Sequence, residues 1–343
     1  MNAHMSSGVS IKAALQYTGP RLGRLGFGGA GIGNLYRAMP DSNATATLEA
    51  AWESGIRYFD TAPHYGLGLS EGRMGSVLQG KPRHEFVVST KVGRLLVPVQ
   101  DVRTRDAAPG TPGNVPRDPE GFEVPATSRR VWDFSERGIR QSIEESLDRL
   151  GLGYVDIAYL HDADVHDLAA GIRDGLPALE KLRSEGLVHA IGVGVNSAEA
   201  ALACVEAGNL DLVMLAGRYT LLEQPDVPVL ERCMEKGTGV VNVGVYNSGL
   251  LARQVVPEDA HYNYGQAPHV QLERARELAG ICGRFGVELP TAALQFGLRH
   301  PAVVNVTVGA TSPEQVRNNA TRMAEEVPEE LWAELSRRGL IPS

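Results

Sequence analysis

Four polar residues at the ends of apolar runs carry the chemistry that this 343-residue sequence offers. Asp60 and Tyr65 lie in "FDTAPHYG", Lys91 in "STKVG" and His161 in "YLHD". Singly, each has a plain structural use: the aspartate as a cap, the lysine as a charge reaching solvent, the tyrosine as a half-buried aromatic, the histidine as a satisfied core residue. Together they resist that reading, because a long apolar strand rarely delivers a charge to its end unless a partner meets it there. They also form a chemical set. A phenol titrates near 10, too high to exchange protons near neutrality, and a neighbouring ammonium lowers that value. Lys91 would supply the ammonium, Asp60 would anchor it, and His161 would donate to a substrate oxygen and hold the reacting carbon in place.

The elements that position these groups follow from periodicity. Short β-rich runs recur roughly every 30 to 40 residues with helical patterns between them, as in a parallel sheet with crossover helices. Eight runs stand out: "RLGFGG" from Arg24, "IRYFDTA" from Ile56, "EFVVSTKV" from Glu85, "YVDIAYLH" from Tyr154, "HAIGVGV" from His189, "LDLVMLA" from Leu210, "VVNVGVY" from Val240 and "VVNVTVG" from Val303. Ser135, Asn196 and Ser312 stand where helix N-caps are wanted, and "SPEQ" at 312–315 has the form of a capping box. Eight β-α units with no break in composition predict an α/β fold of the (β/α)8 TIM-barrel class. The whole chain is expected to be a single barrel domain, with about residues 1–15 an N-terminal extension.

Two stretches depart from the pattern. Leu96 to Asp133, after the third strand, is rich in Pro, Gly, Arg and Asp and shows neither period; it reads equally as an active-site lid or as a surface insertion. A shorter loop at 251–268, after the seventh strand, offers Tyr262 and Tyr264 to flank a ligand.

The motifs resemble those of the aldo-keto reductase superfamily. "DTAPHYG" is similar to that family's D-T-A-x-x-Y-G, "STKVG" to its strand-three lysine motif and "LHD" to its strand-four histidine, in the family's order, and the likeness runs from about Leu25 to the final helices. The resemblance implies a nicotinamide-dependent barrel with Tyr65 as acid and base, Lys91 and Asp60 as its tuning pair, and His161 as the group that orients substrate. It also bears on "GFGGAGIG" at 26–33, whose spacing imitates a Rossmann turn. A Rossmann turn runs straight into a helix, whereas Pro40 in "IGNLYRAMPDSN" argues against one here. Gly26, Gly28 and Gly31 are expected to allow close packing around the first strand and approach of a cofactor.

By the same resemblance, Asn196 matches the position that bonds the nicotinamide amide and Tyr246 the aromatic that stacks on its ring, while Ser248 and Leu250 lie along the pyrophosphate. Ala216 stands where many relatives carry a second amide-binding glutamine. Gly309, Thr311 and Gln315 match the 2′-phosphate end of the site, and Asn318 and Asn319 the adenine end. Relatives that bind NADPH tightly place cations at the positions of Gly309 and Gln315. None stands in "VGATSPEQ", which predicts a preference for NAD and the oxidative direction, with Arg317 the nearby cation that could offset it.

The runs "TKVGRLL", "AGRYTLLEQ" and "NSGLLA" resemble the branch that holds L-fucose or D-threo-aldose 1-dehydrogenases and a pyridoxal 4-dehydrogenase. Either substrate forms a cyclic hemiacetal whose oxidation yields a lactone, the aldose being the leading reading and pyridoxal the alternative. His64, Trp132, Tyr262 and Tyr264 are the candidate substrate contacts. An NADPH-dependent aldehyde reductase is a third reading, and a cofactor-binding sensor or accessory subunit a fourth.

Composition narrows the partners. The net charge is −8, from 33 Lys and Arg against 41 Asp and Glu, with no basic run to track a phosphate backbone. No nucleic-acid or membrane partner is expected, only a small-molecule substrate. The histidines lack H-x-H or H-E-x-x-H spacing, so no metal is expected. Three separated cysteines without C-x-x-C, and an N-terminus unlike a signal peptide, predict a cytoplasmic location. Oligomeric state is not encoded legibly.

Overall fold

A computed structural model describes residues 22–99, 116–263 and 265–342. All eight predicted runs form strands: β1 (Leu25–Gly28), β2 (Tyr58–Asp60), β3 (Val87–Val92), β6 (Val155–His161), β7 (Val188–Val195), β8 (Leu212–Ala216), β9 (Gly239–Val243) and β12 (Val303–Gly309). They make a closed barrel in the order β1-β12-β9-β8-β7-β6-β3-β2. The remaining strands lie outside it as two antiparallel pairs, β4 (Arg94–Pro98) with β5 (Ser128–Trp132) and β10 (His261–Tyr262) with β11 (Gly265–Gln266).

The chain falls into two compact units. One comprises the described residues up to Ile191 with Val308–Asn318, the other Gly192–Thr307 with the described residues from Asn319 onward. In the first unit β1, β2, β3 and β6 are parallel neighbours, with Gly28 opposite Asp60, Asp60 opposite Ser89 and Lys91 opposite Tyr159. Side chains two apart on a strand share a face. Tyr58, Ser89 and Tyr159 therefore form one interior layer, joined through the Tyr58 hydroxyl at 2.9 Å to Ser89 and 3.3 Å to Tyr159. Asp60, Lys91 and His161 come one step nearer the strand ends. On the outer face of β3, Thr90 donates to the buried Glu71 of the helix Leu69–Leu78, which also takes Arg149 of the helix Glu136–Leu150 at 2.6 Å.

In the second unit β8 and β9 pair over Leu212–Ala216, and the helix Val227–Lys236 buries Val229, Leu230 and Cys233. Among the described residues no helix is long and apolar enough to cross a membrane.

Four expectations need correction. The aperiodic reading of 96–133 misses β4 and β5, whose runs "RLLVP" and "SRRVW" are too short to show a period and pair across a long sequence gap. Likewise the 251–268 loop contains the β10–β11 pair. The cap of the helix Ala198–Ala207 is Ser197, whose side chain accepts from Ala200 N, rather than Asn196; Ser135 caps as expected, accepting from Gly138 N. Around Ser312 the box is shifted: Gln315 N donates to Ser312 Oγ, but Gln315 Oε1 accepts from Thr311 N at 2.8 Å, one residue upstream.

Candidate active site

Register explains the first contact. Ser89 and Lys91 flank the end of β2 on one face of β3, so Asp60 accepts from both: Ser89 Oγ at 2.7 Å on Oδ1 and Lys91 Nζ at 2.6 Å on Oδ2. Lys91 donates a second bond to Thr61 O at 3.0 Å, and both partners of the ion pair are buried. Burial alone would favour loss of the lysine proton, but Asp60 and then Tyr65 outweigh it and hold the ammonium above its usual range.

Tyr65 reaches this pair from a tight turn. Gly66, Leu67 and Gly68 all have positive φ, and a Cβ on Gly66 would collide with Gly33 O, which gives the Tyr-Gly order of the motif its steric reason. The Tyr65 ring lies with its centroid 4.6 Å from Lys91 Nζ. Its hydroxyl departs from the expected direction: burial pushes it up to about 12, against the downward pull of Lys91 and with a further upward push from Asp60. The resting site therefore holds a phenol beside an ammonium.

His161 ends β6 with its ring centroid 6.2 Å from that of Tyr65, the planes near perpendicular. Burial, followed by the charges of Lys91, Arg94 and Arg130, lowers it well below the ordinary histidine value, so the imidazole is neutral. His64 stands 5.6 Å from His161, ring to ring, and is also held neutral by burial, then by His161 and the same cations. The four residues read from the sequence thus converge in one unit.

Residues 24–337 match the aldo/keto reductase family. The chain belongs to that family. Over 335 residues it is 50% identical to a D-threo-aldose 1-dehydrogenase of Pseudomonas sp, covering 97% of this chain and 99% of that one. It is 39% identical to a pyridoxal 4-dehydrogenase of Microbacterium luteolum, covering 97% and 98%. A solved aldo-keto reductase of Bacillus halodurans in its holo form superposes with a TM-score of 0.69 at 25% identity, covering 92% of this chain and 91% of that one. As an aldo/keto reductase, the protein is a nicotinamide-dependent oxidoreductase acting on small molecules that bear carbonyl or alcohol groups.

The glycine string takes no Rossmann form. After β1 comes a single 3-10 turn, Gly31–Gly33, and the next helix begins at Asp41. A Cβ on Gly31 would lie 2.9 Å from Thr311 Cγ2, so the loop packs directly on the turn after β12. It also supports an arm that belongs to the stretch after the third strand, one reading of which is an active-site lid. Tyr36 N donates to Gly121 O, Glu123 N donates to Asn34 O, and Leu35 bridges Phe122.

That arm, from β4 to β5, brings the unpredicted residues. Phe122 stacks on Tyr65 at 6.1 Å between centroids and meets His64 edge-on at 5.2 Å. Arg130 holds Asp118 through two bonds of 2.6 Å and donates to His64 O at 2.8 Å. Arg94 contacts His64 Nδ1 at 3.3 Å and Asp162 at 2.5 Å. The local sign in the sequence is that Arg94 and Arg130 each stand directly before an apolar pair, in "GRLL" and "RRVW".

The other candidates fall as follows. Trp132 carries Arg94 over its ring at 4.2 Å and stacks on His166, so it reaches the site through that arginine. In the second unit the Tyr262 hydroxyl donates to Glu223 at 2.6 Å; Tyr264 lies outside the described residues. Also there, Tyr246 donates to Asn319 at 2.9 Å, Asn196 and Ser248 are exposed, and the Leu250 side chain is buried with its N–H on Asn247 O. Asn247 and Ser248 have left-handed backbones, and Asn247 Oδ1 is buried with no hydrogen-bond partner, an acceptor that fits a ligand donor such as a dinucleotide offers. In the first unit Gly309, Thr311, Gln315 and Asn318 are exposed.

Proposed function

We propose that the protein oxidises the anomeric carbon of a cyclic aldose to a lactone, with NAD as hydride acceptor. The observation that carries this is the enclosed Tyr65–Lys91–Asp60 group with a neutral His161 beside it, in a chain half identical to a D-threo-aldose 1-dehydrogenase.

In this reading His161 donates to the anomeric oxygen and fixes the carbon, and Tyr65 first gives up its own proton to solvent and then, as the phenolate, takes the hydroxyl proton. Lys91 carries the charge that stabilises the phenolate as it forms, and Asp60 keeps that lysine protonated. When bound, oxidised nicotinamide supplies the hydride-accepting carbon and a positive charge that favours the phenolate further. Asn196, Tyr246, Ser248, Leu250, Asn318 and Asn319 are the residues we assign to holding it. Phe122 of the arm and His64, which precedes Tyr65 in sequence, make a wall beside the phenol.

NAD is preferred over NADP in this proposal. Gln315 turns its amide oxygen to Thr311 N and Oγ1, at 2.8 and 3.1 Å, and Arg317 pairs with Glu53 at 3.7 Å, so neither supplies a counter-charge for a 2′-phosphate.

The test is absorbance at the NADH wavelength with NAD and a panel of L-fucose, D-threo-aldoses and pyridoxal, comparing the wild type with Tyr65→Phe. Turnover of an aldose to its lactone, reduced at least about 100-fold in the variant, is expected. Faster turnover of pyridoxal replaces the aldose reading, and cofactor binding without turnover of any substrate sinks the enzymatic one.

A further inference from the structure

One carboxylate oxygen sits between two groups of the site. Asp162 Oδ2 accepts from Arg94 Nη2 at 2.5 Å and lies 3.4 Å from His161 Nε2. Asp162 follows His161 directly in sequence, and its φ of +47° lies in the left-handed region, which aspartate adopts more readily than most L-residues and which a restraint on its side chain helps to hold. Arg94 supplies such a restraint. It opens β4, three residues beyond Lys91, with its guanidinium buried over the Trp132 ring.

The geometry points to Arg94 as a positioning residue that acts on His161 through Asp162. By holding Oδ2 and drawing on its charge, it weakens the carboxylate's pull on the Nε2 hydrogen that the substrate oxygen needs. The inference rests on the assignment of His161 as the donor to substrate. A carboxylate accepts a hydrogen bond more strongly than a sugar hydroxyl does, so an unclamped Asp162 would win the competition. It would also favour the imidazolium, as any close anion does.

The groups that face His161 are Lys91 from β3, Arg94 from β4, Arg130 from β5, the adjoining Asp162, and the rings of His64 and Tyr65. Burial and the three cations keep the ring neutral. Removing Arg94 takes away one cation near the ring and its neutralising charge on Asp162, and both changes act in the same direction.

The experiment follows the ring protons of labelled histidine by NMR in the NAD-bound enzyme, alongside the pH profile of kcat/KM, in wild type, Arg94→Gln, Arg94→Lys and the double variant Arg94→Gln with Asp162→Asn. In wild type the His161 signal is expected to stay that of a neutral ring. In Arg94→Gln it gains a proton between about pH 8 and pH 5, and kcat/KM acquires an acid limb, falling about tenfold from pH 8 to pH 6. Asn tolerates the left-handed backbone, so the double variant folds, and with the carboxylate gone the acid limb disappears. Arg94→Lys keeps a cation against Oδ2 and shows no limb; should the glutamine variant not fold, an acid limb in the lysine variant overturns the proposal. A uniform loss in Arg94→Gln that the second substitution leaves untouched makes Arg94 merely structural and also overturns it. If the ring gains its proton but the pH profile does not change, His161 is not the substrate donor, and this role for Arg94 falls with that assignment. Loss of all turnover on the whole substrate panel in the wild type, with the NMR shifts as expected, is the separate failure of the aldose reading.

Discussion

Phe122 lies on Tyr65, with centroids 6.1 Å apart and planes at 29°, although the helix Leu69–Leu78, β3 and β4 come between them in sequence. The stack closes one side of the phenol. Phe122→Leu keeps an apolar side chain there and is expected to cost less than about 1.5 kcal/mol of stability. Losing the aromatic face should lower kcat/KM for the aldose roughly 3- to 10-fold, as the usual worth of such a pair implies. Steady-state kinetics beside a urea melt separates the two effects; a melt that collapses while kinetics per folded molecule hold steady would refute a role for the stack in the site.

Asp60 and Lys91 form a buried pair, and removing one partner strands the other's charge. Asp60→Asn is expected to cost about 3–5 kcal/mol and to reduce turnover at least about 100-fold. The raised lysine gives the pH sign. Its contribution is present in full below the ordinary lysine value near 10.4 and is lost as pH rises through the higher folded value. The gap between variant and wild type should therefore be constant through neutrality and narrow only at strongly alkaline pH, which denaturant melts at several pH values will show.

His64 and His161 set the acid side. Both are neutral in the fold, whereas the unfolded chain protonates them below about 6.5, so stability falls as pH drops. Between pH 7.5 and pH 5 each should remove about 2 kcal/mol. Calorimetry across that range is expected to show the loss, with about half of the two-histidine share gone in His64→Gln. An unchanged slope in that variant would mean that His64 is protonated in the native protein.

Cofactor choice can be moved at Gln315. Its amide tie to Thr311 is exposed, and Gln315→Arg places a guanidinium at the start of the helix Pro313–Ala324. A charge-assisted bond to a 2′-phosphate should raise kcat/KM for NADP about tenfold or more, with little effect on NAD. Equal use of both cofactors by the unmodified enzyme would defeat the proposed NAD preference.

Much of this protein is legible in its sequence. The strand runs were legible because a buried parallel strand is a local apolar string, and Asp60, Lys91 and His161 were legible because each ends such a string with an ill-fitting polar group. Turn chemistry was less so: the cap at Ser197 rather than Asn196 differs by one residue, and only the bond to Ala200 N distinguishes the two.

The sequence by itself determined the barrel, the four side chains that converge at the strand ends and the family, since these depend on periodicity and on short motifs. Only the tertiary structure decided what encloses them. Arg94 finds Asp162 across 68 residues, and the strand pair from Arg94 to Trp132 folds Phe122 back over Tyr65. It also reversed the expected direction for the Tyr65 hydroxyl, because the sequence names the neighbouring charge but not the depth of burial that outweighs it.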